Sequence, residues 1–75
     1  MKYEFEQEYK QIGLKISYYR KLRGLTQEKL AEKLGVATSY IGQIEAVGMY
    51  KPISLTTLLR IAQALDVPAY KFLEF

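Results

Sequence analysis

Neither cysteine nor histidine occurs among the 75 residues of the chain. The lack of cysteine excludes disulfides and thiolate metal sites. The lack of histidine removes the usual general base and the commonest metal ligand at neutral pH. Carboxylates alone could still support catalysis, but a chain this short offers little room for an enclosed pocket. We therefore expect a protein that is not an enzyme, with no metal, no other cofactor and no evident small-molecule ligand.

Long apolar segments and targeting signals are missing as well. No apolar run is long enough to cross a bilayer, and the N-terminus has no signal-peptide pattern. We therefore expect a cytoplasmic protein that does not contact a membrane. The length predicts a single domain over residues 1–75. A hydrophobic fraction of 49% with 25% charged residues is typical of a globular domain and argues against disorder.

The net charge of +3 is unevenly distributed along the chain. Residues 1–11 contain two lysines and three glutamates, for a net charge of −1. The remaining residues contain nine basic and five acidic side chains, for a net charge of +4. A mildly basic domain suits a polyanion such as DNA, although a charge of this size is weak support by itself.

Apolar residues recur at helical spacing, and no alternating stretch is long enough to predict a strand. Phe5, Tyr9, Ile12 and Ile16 repeat at helical spacing. On one side of the first helix we expect Ile12, Ile16, Tyr19 and Arg23. The pattern predicts helices over about residues 4–23, 27–34 and 38–46, a fourth helix after Ser54 and a short fifth helix from Pro68 to about Phe75. The predicted fold class is all-α, a compact five-helix bundle with short connections.

Capping residues indicate where these helices begin and end. Gly24 is placed to act as the left-handed cap after the first helix, and Gly35 ends the second. Thr26 and Ser54 carry hydroxyls that can accept a hydrogen bond from the backbone of the first turn that follows. Pro68 suits the first position of the fifth helix, which needs no backbone N–H.

Residues 26–45 meet the requirements of a helix-turn-helix, with QEKLAEKLGVATSYIGQIE running from Gln27. Ala31 is small where the two helices approach each other most closely, and Gly35 lies at the turn, where a positive φ is needed. The apolar residues of a shared core are Leu30, Leu34, Val36, Ile41 and Ile44. All these requirements are met together in one stretch, so the prediction is a specific one.

The pattern IGLKI…RKLRGLTQEKLAEKLGV.TSYIGQIE…P.SL.TLLRIAQALDV resembles the phage-repressor, or Cro/C1-type (XRE), helix-turn-helix family. The resemblance covers residues 12–73. It implies a five-helical, lambda-repressor-like DNA-binding domain that is usually dimeric, mostly represses transcription and places its third helix in the major groove. It also implies an ion pair between Arg20 and Glu45 that ties the first helix to the end of the recognition helix.

The resemblance assigns DNA contacts to particular residues. Gln27 is similar to a family glutamine that touches a backbone phosphate and buttresses the recognition helix. Thr26 would add a hydroxyl or an exposed backbone N–H to a phosphate. Thr38, Ser39 and Gln43 match base-facing positions, where the amide of Gln43 could bind adenine and the hydroxyls could bind donors or acceptors.

A structural role stands beside each of these assignments. Gln27 could be a solvated first-turn residue, and Gln43 an inert glutamine on an exposed helix face. We expect Thr38 to serve as N-cap of the third helix in addition to reading bases, because Ala37 has no capping side chain. Tyr40 could contact a phosphate through its hydroxyl or could simply pack.

The recognition segment departs from the family in its charge. Residues 36–46 contain no lysine or arginine, and Gly42 lies within the helix on a potentially base-facing side. The loop that follows is one residue longer than the common pattern, and Lys51 is its only cation. Phosphate binding would then rest on Thr26, Gln27, Lys51 and backbone N–H groups, with Lys29 or Lys33 as weaker candidates.

Leu14, Tyr18 and Leu22 form a second apolar stripe on the first helix, beside the core residues. We define these three residues as the α1 stripe, where α1 is the first helix, predicted over about residues 4–23. The stripe could be covered by the aromatic N-terminus or by the C-terminus, or it could be a dimer or partner interface. The covering residues would be Tyr3, Phe5, Tyr9, Phe72 and Phe75. Further apolar surface for self-association is expected at Met49, Tyr50, Tyr70, Phe72 and Phe75.

We therefore expect a small transcriptional regulator, a repressor, that binds duplex DNA in a sequence-specific manner as a homodimer. The alternative is a protein-interaction module of the antitoxin or anti-regulator kind on the same scaffold, with weak or no DNA binding, because fold alone does not decide function.

Overall fold

The computed structural model describes residues 4–75, and every regular element in this part of the chain is helical. The all-α prediction is confirmed. The elements are α1 (Glu6–Leu22), α2 (Gln27–Leu34), α3 (Thr38–Glu45), α4 (Leu55–Leu65) and a 3₁₀ helix (Ala69–Leu73). Within these residues no helix is both long enough and apolar enough to cross a membrane.

The count of five α-helices is not confirmed, because the last element is a 3₁₀ helix of five residues. Its N-terminal bond runs from Lys71 N to the carbonyl of Pro68, an i to i+3 interaction of 3.0 Å. Pro68 is the N-cap residue of this element rather than its first helical position. The predicted start of α1 was also early: Phe5 precedes the helix with a φ of 59° and an exposed side chain, so it does not join the apolar side.

The predicted caps of α1, α2 and α4 are confirmed. Gly24 and Gly35 have φ values of 74° and 71°, which a residue with a Cβ adopts only at a cost. The Thr26 hydroxyl accepts a 3.0 Å hydrogen bond from the Lys29 N–H. The Ser54 hydroxyl accepts one of 3.1 Å from the N–H of Thr57.

The predicted cap of α3 was wrong. The extended N-cap residue is Ala37, with φ −71° and ψ 145°, and no side chain caps this helix. Thr38 is already the first helical residue, so its hydroxyl lies one position too late to accept from the first turn. The first turn is closed instead by the Ala37 carbonyl, which accepts from Tyr40 N at 3.0 Å.

A single apolar core fills the space between all the helices. The residues predicted to lie beneath the helix-turn-helix are buried, except Val36, which packs partly buried at the edge of the core. Ala31 is buried as expected. The largest fully buried side chains are Phe72, Ile16, Leu30, Ile41, Ile61 and Leu65. Phe72 therefore belongs to the core, and its prediction as a self-association residue was wrong.

Two arginines close the C-terminal ends of helices far away in sequence. Arg23 Nε donates to the Leu65 carbonyl at 2.8 Å, and its Nη2 donates to the Asp66 carbonyl at 2.9 Å. Arg60 Nη2 donates to the carbonyl of Leu34 at the end of α2. These guanidinium groups satisfy carbonyls that lack intrahelical partners, so they stabilise the bundle.

The α1 stripe is exposed, with 49% to 60% of each side chain accessible. Phe72 packs edge-on against Tyr19, with ring centroids 5.4 Å apart, instead of covering the stripe. Phe75 lies under the ammonium group of Lys15 and is itself exposed. The ring of Tyr9 packs against the ring of Tyr50 instead of covering the stripe. Tyr3 lies outside the described residues, and residues 4–75 leave the stripe uncovered.

Candidate nucleic-acid interface

The predicted DNA-contacting residues lie on two helices and the loop that follows them. Thr26 caps α2, and Gln27 is its first residue. Four further residues lie on α3, namely Thr38, Ser39, Tyr40 and Gln43. Lys51 follows in the loop between α3 and α4, which we define as residues 46–54.

The end of α3 is held by a charged network, as the predicted Arg20–Glu45 pair implies. Arg20 donates from Nε to Glu45 Oε2 at 2.8 Å and from Nη2 to Glu45 Oε1 at 2.9 Å. Its Nη1 donates to the carbonyl of Leu25 at 2.7 Å. The hydrogen bond with Glu45, aided by the negative charge of that carboxylate, raises the pKa of Arg20 above its ordinary value.

Gln27 joins this network and thereby links the start of α2 to the end of α3. Its Nε2 donates to Glu45 Oε1 at 3.1 Å. The buttressing role predicted for Gln27 is therefore present in the structure. The side chains of Arg20 and Glu45 are only 8% and 5% exposed. The single charge of α3 is thus neutralised inside the fold and is not presented on its outer face.

The outer face of α3 carries hydroxyl and amide groups. Thr38 and Ser39 are exposed, whereas Gln43 is half-buried. A Cβ added to Gly42 would lie 3.5 Å from Oε1 of Gln27. Gly42 therefore faces the first residue of α2, and a small side chain would meet Gln27 at ordinary contact distance.

Tyr40 and Lys51 form a pair that the sequence pattern did not predict. The ammonium nitrogen of Lys51 lies 5.6 Å from the centroid of the Tyr40 ring, in the range of a cation–π contact. Both side chains are half-buried. The packing role considered for Tyr40 is present, and its partner is the one cation of the loop. Lys29 and Lys33 are exposed residues of α2.

A second tertiary contact of the α3–α4 loop was also missed. The Tyr50 hydroxyl donates to the Glu4 carbonyl at 2.8 Å. The rings of Tyr9 and Tyr50 are perpendicular, with centroids 6.0 Å apart. Glu4 and Tyr9 are each more than 40 positions from Tyr50 in sequence, so no local spacing indicates the contact. The abundance of tyrosines in the chain was the only signal.

The described residues contain no group of three or more acidic side chains arranged to hold a metal ion.

A cavity of about 330 Å³ lies between the end of α2, the start of α3 and α4. It is lined by Leu34, Val36, Ala37, Tyr40, Thr57 and Arg60.

Comparison with known proteins identifies relatives over most of the chain. Residues 16–72 match the family HTH_3, described as helix-turn-helix. The HTH-type transcriptional regulator SinR of Bacillus subtilis is 40% identical over 63 residues, which are 84% of this chain and 56% of SinR. The chain therefore spans little more than half the length of this relative.

Two solved structures share the fold. The restriction-modification controller protein C.AhdI from Aeromonas hydrophila is 30% identical, with a TM-score of 0.79 over 88% of this chain and 97% of that one. A crystal structure of SinR, described as the master regulator for biofilm formation, in complex with DNA is 40% identical. Its TM-score is 0.74 over 84% of this chain and 98% of that one.

Proposed function

This chain belongs to the helix-turn-helix family HTH_3, and on that basis we propose that it is a small cytoplasmic repressor that binds duplex DNA. The recognition helix is α3, which enters the major groove. The observation that carries the proposal is the network around Glu45. It fixes α3 against α1 and α2 and leaves an outer face of neutral hydrogen-bonding groups for bases. Related regulators include one whose structure contains DNA.

Base recognition in this proposal depends on three side chains of α3. Gln43 presents an amide that can donate to and accept from adenine in the major groove. Thr38 and Ser39, both exposed, offer hydroxyls that bind either donors or acceptors, and the threonine methyl can contact thymine. The uncharged face makes hydrogen bonding and shape, rather than charge, the source of sequence preference.

Phosphate binding is assigned to the residues that flank α3. Thr26 accepts from the Lys29 N–H, which leaves its own hydroxyl hydrogen to donate to a phosphate oxygen. Gln27 lies beside the recognition helix, Tyr40 lies on it, and Lys51 contributes the positive charge of the loop. Phosphate contacts of this kind set register and orientation, and each ionic one adds to the salt dependence of binding.

We further propose that the protein binds as a homodimer on a two-fold operator. A C2 dimer presents two copies of α3 to half-sites about one helical turn apart, ~34 Å. The test is competition binding with specific and random duplexes across a series of salt concentrations. Tight, salt-dependent binding to selected duplexes supports the proposal, and equally weak binding to all duplexes contradicts it.

A second candidate function is a protein-interaction module, favoured by the α1 stripe. Its residues stay exposed, and two of them, Leu14 and Tyr18, line a cleft of about 340 Å³ together with Gln11 and Lys15. An apolar surface of this kind is typical of contact with another protein. This idea fails if the double variant Leu14→Glu/Tyr18→Glu keeps its oligomeric state and partner binding while folded. The matched control is Leu55→Glu/Leu59→Glu, which alters exposed apolar residues at the same spacing on α4.

A further inference from the structure

The geometry of the α3–α4 loop points to Tyr50 as a positioning residue for DNA binding: its contacts with Glu4 and Tyr9 hold the loop so that Lys51 lies over Tyr40 beside the recognition helix. The inference rests on the proposed function, since it concerns how the cation of the loop is presented to phosphate. Tyr50 itself does not touch DNA in this account.

Tyr50 ties the loop to the start of α1 through two different interactions. Its hydroxyl donates to the Glu4 carbonyl at 2.8 Å, and its ring packs perpendicular to that of Tyr9 at a centroid distance of 6.0 Å. Residues 47–49, which precede it in the loop, are exposed, whereas Tyr50 is half-buried. Tyr50 therefore anchors the loop to the start of α1, whereas the three residues before it face solvent.

Lys51 follows Tyr50 directly, so the backbone position of Tyr50 determines where the lysine side chain can reach. The ammonium nitrogen lies 5.6 Å from the centroid of the Tyr40 ring, on α3. A lysine on an exposed loop ordinarily samples many rotamers, and ordering it upon binding costs free energy. Anchoring at Tyr50 reduces this cost because the loop already holds the cation beside the recognition helix.

The arrangement explains how Lys51 could supply phosphate binding to a recognition segment that has no basic residue of its own. The outer face of α3 carries no net charge, since Glu45 is neutralised by Arg20. Lys51 is then the cation that the α3–α4 loop places against α3, through Tyr40. Its contribution to phosphate binding depends on being held there. The tyrosine anchor and the lysine are thus expected to act as one unit.

A double-mutant cycle on DNA binding tests this coupling. Lys51→Ala is expected to weaken binding to all sequences and to reduce the salt slope by about one unit. Tyr50→Ala should reproduce a large part of both effects, and the double variant should bind no more weakly than Lys51→Ala alone. Tyr50→Phe, which keeps the ring and loses the hydroxyl, should lie between wild type and Tyr50→Ala. Additive losses, or unchanged binding by Tyr50→Ala, overturn the inference.

The control variant is Tyr70→Ala. Tyr70 is an exposed tyrosine of the 3₁₀ helix with a lysine, Lys71, 5.6 Å from its ring, and it is remote in sequence from the loop. It should leave both DNA affinity and the salt slope unchanged. A loss equal to that of Tyr50→Ala would assign the effect to general loss of a tyrosine and would count against positioning.

A readout without DNA separates this inference from the proposed function. In the wild-type protein, the ring of Tyr40 should shift the side-chain proton resonances of Lys51 upfield in NMR spectra. Tyr50→Ala should abolish that shift while core resonances remain in place, and Tyr70→Ala should preserve it. If no duplex binds the wild-type protein, the proposed function fails, and this measurement still decides the positioning role. Persistence of the Lys51 shift in Tyr50→Ala overturns it.

Discussion

Gly13 on α1 packs directly against the backbone carbonyl of Ile44 on α3. A Cβ added at Gly13 would overlap the carbonyl oxygen of Ile44 and lie 3.2 Å from its carbonyl carbon. The clash is with backbone atoms, which cannot rotate away as a flexible side chain can. The closeness of α1 and the recognition helix therefore depends on the absence of a side chain at one position.

Gly13→Ala is expected to destabilise the protein by roughly 1–3 kcal/mol, because it forces α1 and α3 apart in a close-packed region. Urea-induced unfolding measures this change in the free energy of unfolding. Gly48→Ala is the matched control, since an added Cβ there meets no atom within 4 Å. A Gly13→Ala variant as stable as the Gly48→Ala control would contradict the close contact.

Glu45→Ala is expected to reduce the free energy of unfolding by about 3–5 kcal/mol, because it leaves the buried guanidinium of Arg20 without its charge partner. The double variant Arg20→Met/Glu45→Leu should recover much of this loss, since apolar residues can replace a buried pair. Chemical denaturation of both variants, with Glu28→Ala as an exposed control, provides the comparison. A loss no larger than that of the control would show that the network does not hold α3.

Gln43→Ala is expected to cost ~1–3 kcal/mol in binding the preferred duplex and to relax selectivity at one base pair. The reason is that a single amide would supply the hydrogen bonds to that base. Binding to a panel of duplexes, each changed at one base pair, measures the effect. Gln63→Ala, an exposed glutamine on α4, serves as the control. Equal losses on specific and random DNA would assign Gln43 to general affinity instead.

Lys51→Ala is expected to weaken binding on specific and random DNA alike, because the lysine is proposed to contact phosphate and not bases. Comparison of the two affinities at one salt concentration measures this directly. Lys21→Ala, which removes an exposed cation from the last turn of α1, is the matched charge control. A change confined to the preferred duplex would contradict a phosphate role for Lys51.

The helix-turn-helix was predictable because its requirements are local. Residue type and spacing predict the caps at Thr26 and Ser54. They also predict the positive φ values of Gly24 and Gly35 and the burial of Ala31. Each of these features involves residues within a few positions of one another. The Arg20–Glu45 pair is long-range, and it was anticipated only through the family resemblance.

The remaining features depend on tertiary packing, which local patterns do not encode. Nothing around Gly13 indicates that the carbonyl of Ile44 lies against it. The contact between Tyr50 and Glu4 joins residues that only the folded bundle brings together. The cap of α3 was misplaced by one position because the backbone turns at Ala37, whose methyl side chain cannot accept a hydrogen bond and so does not signal an N-cap.

The DNA contacts assigned to the candidate site stay predictions until the DNA binding of the protein and its variants is measured. The structure places Gln27 beside α3 and Lys51 over Tyr40, which is itself a residue of α3. The base-reading roles of Thr38, Ser39 and Gln43 rest on the family resemblance.

We propose that α3 reads a specific DNA sequence. The most direct measurement is selection of bound fragments from a randomised duplex library, carried out in parallel with wild type and Gln43→Ala. We expect an enriched two-fold motif with half-sites about one helical turn apart, ~34 Å, and relaxed preference at one base pair of each half-site in the variant. No enriched motif with wild type, or an identical motif with both proteins, would contradict it.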